Sequence, residues 1–236
     1  MAAPLGVLQG DGRLGPALPR PFRLAVDLDN TLICYDQVFV AVALDRGLVA
    51  AGFSGGKQAV RDHIRQLPDG ETLWQQVQGE VYGKRIGSAL LFEGAEQFLR
   101  RCRTEGAHVW VVSHKTQFNA YDPDRVDLRA AALQWLEARI FADGELGLGR
   151  DDVFFETTRR DKIARLACLR CTHVIDDLVE VFSDPDFPNG MLKIRFDPAN
   201  ATGDGSWASW REIEEELFGP ARPAQGNGAG VNGRSV

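Results

Sequence analysis

Short apolar runs alternate with longer amphipathic stretches along most of this chain. Leu24, Ala25 and Val26 are apolar on both faces, β-branched at the end and halted by Asp27, the pattern of a buried parallel strand. Comparable runs lie at 107–112, 153–155, 172–175 and 192–196. Helical spacing fills the intervals. Phe98, Leu99 and Cys102 follow Glu93-Gly94-Ala95, with Gly106 as a stop; Leu128, Ala132, Leu133, Leu136 and Ile140 place a helix over 127–140. A further helix is expected over 161–169, and Trp210, Ile213 and Leu217 share one face of a closing helix over 207–218. This alternation predicts an α/β fold, a Rossmann-like parallel sheet flanked by helices.

Between the first two strands the pattern turns wholly helical. Val38, Val42, Leu44 and Leu48 predict a helix ending near Gly52. Ser54 is placed to cap a second, through Val60, Ile64 and Leu67 to Pro68, and Thr72 to open a third with Leu73, Trp74, Val77 and Val81. Such a block exceeds an ordinary connection. The expected organisation is a core of 22–35 and 91–218, a small inserted α-helical cap at 36–90, and disordered segments at 1–21 and 219–236, where Gly and Pro are frequent.

Composition narrows the function classes. The 236 residues carry a formal net charge of -6, so the chain offers no basic face to a nucleic-acid backbone. No apolar stretch reaches the roughly 18 residues a membrane span needs, and the first 21 residues lack the apolar segment of a secretion signal. Cys34, Cys102, Cys168 and Cys171 include one C-x-x-C pair without a second at zinc spacing, and are read as buried thiols of a reducing cytoplasm. His63, His108 and His173 fit no metal spacing.

The candidate chemistry sits where the strands end. In an open parallel sheet the carboxyl ends of the strands form the functional edge. Asp27 and Asp29 lie there, with Leu28 between them facing the other way. Two carboxylates so placed repel each other unless a cation intervenes, and magnesium prefers such oxygens. The same residues also suit a helix-capping turn. Ser113 ends the second long run, placed to offer its hydroxyl to an anion or to cap the next helix. Asp176 and Asp177 end another run. Lys162 sits early in a helix, where the dipole prefers acids, and an ill-matched residue raises a functional question.

Taken in order, Asp27-Leu28-Asp29-Asn30-Thr31, Val112-Ser113, Lys162 and Ile175-Asp176-Asp177 resemble the four motifs of the haloacid dehalogenase-like superfamily, over roughly residues 22 to 197. The resemblance implies a magnesium-dependent phosphatase acting on a small phosphate ester, such as a sugar or cyclitol phosphate or a nucleoside monophosphate. In that family Asp27 would attack phosphorus, Asp29 would serve as general acid and base, and Ser113 and Lys162 would hold the phosphoryl oxygens. Asn30, Thr31 and His114 would join them in binding substrate. Asp27, the Asp29 carbonyl, and Asp176 or Asp177 would hold Mg2+. Arg159 and Arg160 lie close enough to compete for the role of Lys162, and the choice between Asp176 and Asp177 stays open. A phosphomutase on the same scaffold and a catalytically silent binding or regulatory module are the alternatives. Oligomeric state is not legible.

Overall fold

The runs assemble into a parallel sheet because a helical return carries the chain back to the same edge before each new strand. The computed structural model describes residues 22–199 and 205–220; the expected disordered stretches, 1–21 and all but two residues of 219–236, lie outside the described residues. Five parallel strands, β1 (Arg23–Val26), β4 (His108–His114), β5 (Val153–Glu156), β6 (His173–Asp176) and β7 (Leu192–Arg195), stand in the order β5-β4-β1-β6-β7. Val26 is level with Val111 on one side and Ile175 on the other. β1 and β6 therefore end almost together, while β4 runs three residues farther, to His114.

Alternation along each strand feeds two apolar layers. Leu24, Val26, Val111 and Ile175 pack toward α4 (Ala95–Thr104), α5 (Leu128–Arg139) and α8 (Trp210–Phe218). Ala25, Trp110, Val112 and Val174 face α6 (Arg159–Cys168) and α7 (Val179–Phe182). Trp210 is fully buried against Phe98 and Phe196, and its indole N–H donates to the Thr31 carbonyl at 3.1 Å. The closing helix thus braces the turn after β1.

A two-stranded antiparallel ribbon, β2 (Ile33–Cys34) with β3 (Leu90–Leu91), marks where the chain leaves the sheet and returns. Between them lie α1 (Asp36–Asp45), α2 (Lys57–Ile64) and α3 (Gly70–Tyr82). Phe39 of α1 stacks on Trp74 of α3 with ring centroids 5.0 Å apart, and Val60 and Ile64 of α2 are fully buried. These side chains belong to the same apolar cluster as the inner faces of β1 and β4.

Several boundaries differ from the expected ones. The first inserted helix ends at Asp45 rather than near Gly52, because Gly47 adopts φ +67° and the Leu48 N–H returns to the Ala43 carbonyl at 2.8 Å. Ser54 caps nothing. The cap of α2 comes from outside the segment, since Asp36 Oδ1 accepts the Lys57 N–H at 2.7 Å, an approach that a Cβ on Gly56 would block at 2.3 Å from that carboxylate. The third helix opens at Gly70, two residues before Thr72. Helix α6 starts at Arg159 rather than Asp161, because the Thr158 hydroxyl accepts the Asp161 N–H. Trp207 lies before α8, extending the sheet edge by backbone hydrogen bonds with Arg195 and Asp197, and Ser209 is the cap.

Replacing Trp210 tests the brace. Trp210→Ala should cost about 3–5 kcal/mol through the cavity it leaves. Trp210→Phe, which chiefly strands the Thr31 carbonyl, should cost about 1 kcal/mol. The shift in urea midpoint reads both, and equal losses would mean that the hydrogen bond, which both variants lose, and not packing holds the turn.

Candidate active site

The turn after β1 is built to hold two carboxylates apart. Asp27 continues the strand, its N–H donating to the Ile175 carbonyl at 2.9 Å, and its side chain is buried. Leu28 turns into the core. Asn30 takes a left-handed conformation, φ +62°, which asparagine tolerates better than most residues, and lets the chain fold back so that Ile33 N–H reaches the Leu28 carbonyl. Asp29 is left between two donors: the Tyr35 hydroxyl reaches Oδ1 at 2.7 Å and the Lys115 ammonium reaches Oδ2 at 2.6 Å. Both oxygens therefore accept.

The second acidic pair arrives from β6, next to β1. Lys162 is buried on α6 and its ammonium lies 2.5 Å from Asp27 Oδ1 and 2.6 Å from Asp176 Oδ2. The contact with Asp176 is an ion pair rather than an aligned hydrogen bond, for Asp176 Oδ2 is fully buried and has no hydrogen-bond donor in line. The other oxygen, Oδ1, accepts the Leu178 N–H at 3.0 Å. Asp177 is half-buried and its Oδ1 stands 3.5 Å from the Thr31 hydroxyl. Oxygens of Asp27, Asp176 and Asp177 all lie within 4.8 Å of one another.

Charge is unbalanced here. Burial pushes the Asp27 carboxyl up to about 6, with Asp176 and Asp29 adding to the rise and Lys162 opposing it. Asp177 is pushed well above the carboxylate range, first by burial and then by Asp27 and Asp176. Lys162 stays charged, because the same two acids outweigh the burial that works against it. Lys162 touches two of the three acids, Lys57 acts on Asp177 only from farther off, and the set of oxygen donors suits a hard divalent cation.

Ser113 is buried at the end of β4, level with Phe155. His114 is open to solvent on one side, and the partial desolvation of its ring, then the charges of Lys162 and Arg159, hold its pKa below the usual histidine value. Arg159 turns away to Asp184 at 3.2 Å and Arg160 is exposed, so Lys162 is the basic residue of α6 that enters the acidic group. Asp29 stands outside that group with its side chain turned to Lys115 and Tyr35. Sequence reasoning passed over both of those partners. Lys115 did carry a signal, lying two residues beyond Ser113 on the same strand-end face. Tyr35 carried none.

No family model and no curated protein sequence matches this chain. Among solved structures it is similar to a chain from Lactobacillus delbrueckii subsp. bulgaricus assigned as a phosphoglycolate phosphatase, at 15% identity and a TM-score of 0.50, covering 84% of this chain and 98% of that one. It is also similar to a HAD family hydrolase from Deinococcus radiodurans R1 solved with bound phosphate and sodium, at 17% identity and a TM-score of 0.47, covering 84% and 95%. A phosphoserine phosphohydrolase-like protein from Francisella tularensis matches at 13% identity and a TM-score of 0.44, covering 82% and 92%. The first likeness, with the strand order, shows a shared Rossmann-like α/β fold.

The charge imbalance predicts how the metal-free protein responds to pH. A carboxyl raised from 3.8 to about 6 is penalised when ionised, so Asp27 lowers stability above pH 6 and ceases to do so as it takes up its proton toward pH 4. Asp27→Asn in chelator should raise stability at pH 7 by on the order of 2–3 kcal/mol, with the gain fading as pH falls toward 4. Thermal unfolding across that range measures it, and a variant less stable than wild type at pH 7 would contradict the account.

Proposed function

We propose that the protein is a magnesium-dependent phosphatase that hydrolyses a small phosphorylated metabolite through an aspartyl-phosphate on Asp27. The observation that carries this reading is the convergence of Asp27, Asp176, Asp177 and Lys162 at adjoining strand ends. Asp176 Oδ2, buried without an aligned donor, and the raised Asp27 and Asp177 carboxyls fit a site that lacks positive charge until a divalent cation joins it. Asp27, Asp176 or Asp177, and the Asp29 main-chain carbonyl would hold that cation. When bound, Mg2+ supplies the charge that lets an anionic nucleophile approach an anionic ester.

The remaining work falls to the chain's own residues. Asp27 attacks phosphorus in line with the departing alkoxide, and Lys162 follows the charge that develops on the phosphoryl oxygens. Ser113 donates to the same oxygens from the end of β4. Asp29 protonates the leaving group in the first half of the reaction and takes a proton from water in the second. Tyr35 and Lys115, donating to its two oxygens, orient Asp29 for that second half. Asn30, Thr31 and His114 border the phosphoryl position. The inserted helices act as a cap, which favours a compact ester over a phosphoprotein. Cys102 and Cys171 are buried thiols as expected, whereas Cys168 is exposed and Cys34 half-buried; that all four are unpaired suits a reducing cytoplasm. No helix of the described residues is long and apolar enough to cross a membrane.

Release of inorganic phosphate from a panel of phosphate esters provides the test. Wild type should release it only with Mg2+, and Asp27→Asn should lower kcat at least about 10³-fold while keeping its fold. Turnover that survives Asp27→Asn would remove the nucleophile assignment. An isomerised ester formed without free phosphate would turn the reading to a phosphomutase, and no turnover on any ester to a silent module.

A further inference from the structure

Beside the acidic group lies a cavity of about 300 Å³, between α2 and the loops that follow β1 and β7. Asn30 and Asp177 connect it to the reaction centre, Phe92 and Phe196 form an apolar side, and Lys57 and Arg61, one helical turn apart on α2, supply cations. Lys57 is unusual among them. Its ammonium stands 5.9 Å from the Phe39 ring centroid and 5.8 Å from that of Tyr82, and among the described residues no carboxylate pairs with it. Burial opposes its charge, yet the Tyr82 hydroxyl and the fields of Asp177 and Asp29 keep its pKa above the ordinary lysine value. Those distant acids keep the ammonium charged, and its N–H donors still need a direct anionic acceptor.

The acids lining the same cavity do not fill that need. Asp36 caps α2 through the Lys57 N–H, Asp197 pairs with Arg195 at 3.0 Å, and Asp177 belongs to the acidic trio. Arg61 pairs with Asp62, a solvent-exposed acid that water can replace. We propose that this cavity takes a second anionic group of the substrate, a carboxylate or a second phosphate, and that Lys57, assisted by Arg61, is the specificity-determining residue that reads it. This rests on the phosphatase reading for the position of the ester and goes beyond it by naming what the rest of the substrate carries. The apolar side formed by Phe92 and Phe196 leaves room for a short carbon chain between the two anions.

A matched series tests it: propyl phosphate, the phosphate ester of 3-hydroxypropionate, and 1,3-propanediol bisphosphate. Wild type should favour one or both anionic tails over propyl phosphate by at least tenfold in kcat/KM. Which tail wins distinguishes carboxylate from phosphate. In Lys57→Gln that ratio should fall at least tenfold, and in Arg61→Gln by a smaller factor. A Lys57→Gln variant that slows all three esters alike, leaving the ratio intact, would show that the lysine merely offsets the neighbouring acids and would overturn the proposal. So would a wild type indifferent to the tail. Binding of the same three compounds to Asp27→Asn with Mg2+, by calorimetry, separates the two readings. A preference for an anionic tail in Kd supports the cavity even if turnover fails, and no preference overturns it even if phosphate is released.

Discussion

A single buried ammonium set against three carboxylates governs this molecule. Lys162 touches Asp27 and Asp176 within 2.6 Å, and Asp177 lies close by. Such a group does not form for its own stability, since desolvating charges costs several kcal/mol each and one cation cannot neutralise three acids. The apolar framework must impose it. Val26 and Ile175 are level in adjacent parallel strands, so the residues after them, 149 positions apart in sequence, meet at the sheet's edge. Helix α6, whose Ile163 and Leu166 are buried on the opposite layer from α4 and α8, delivers Lys162 between them. The energy that holds the acids together comes from the two apolar layers below.

This division explains what could be read along the chain. Runs such as Leu24–Val26 and His173–Ile175 announce buried strands by composition alone, and an acid that stops such a run marks its end. Lys162 was visible because it stands against the local preference of its helix. The residues that escaped notice act across long sequence separations. Tyr35 reaches back six positions around a turn that depends on Asn30 at φ +62°, and Lys115 meets Asp29 from another strand. Helix limits escaped for a related reason. The start of α2 is set by Asp36, 21 residues away, and the start of α8 is delayed because Trp207 is occupied with Arg195 and Asp197.

The inserted helices show the same dependence from the other side. Their apolar face is not a core of its own, since Phe39, Trp74 and Val77 merge with the layer that covers β1 and β4. Where the insertion meets the sheet, aromatic rings form the contact: Tyr82 lies edge-on to Tyr35 at 4.8 Å and to Phe39 at 5.7 Å. Tyr82 also lies between two lysines, with Lys115 at 4.9 Å from its ring centroid and Lys57 at 5.8 Å. Cation–ring attraction strengthens where water is excluded.

That placement couples parts of the site which the sequence keeps separate. Lys115 holds the Asp29 carboxylate from the sheet, Lys57 faces the neighbouring cavity from α2, and the ring of α3 that both approach reaches this position only while the helices rest on the sheet. A shift of the insertion about the β2–β3 ribbon would withdraw Tyr82 and Lys57 together and leave Lys115 with Asp29 alone. The electrostatics around Asp29 therefore depend on the position of the inserted helices as well as on the turn that follows β1.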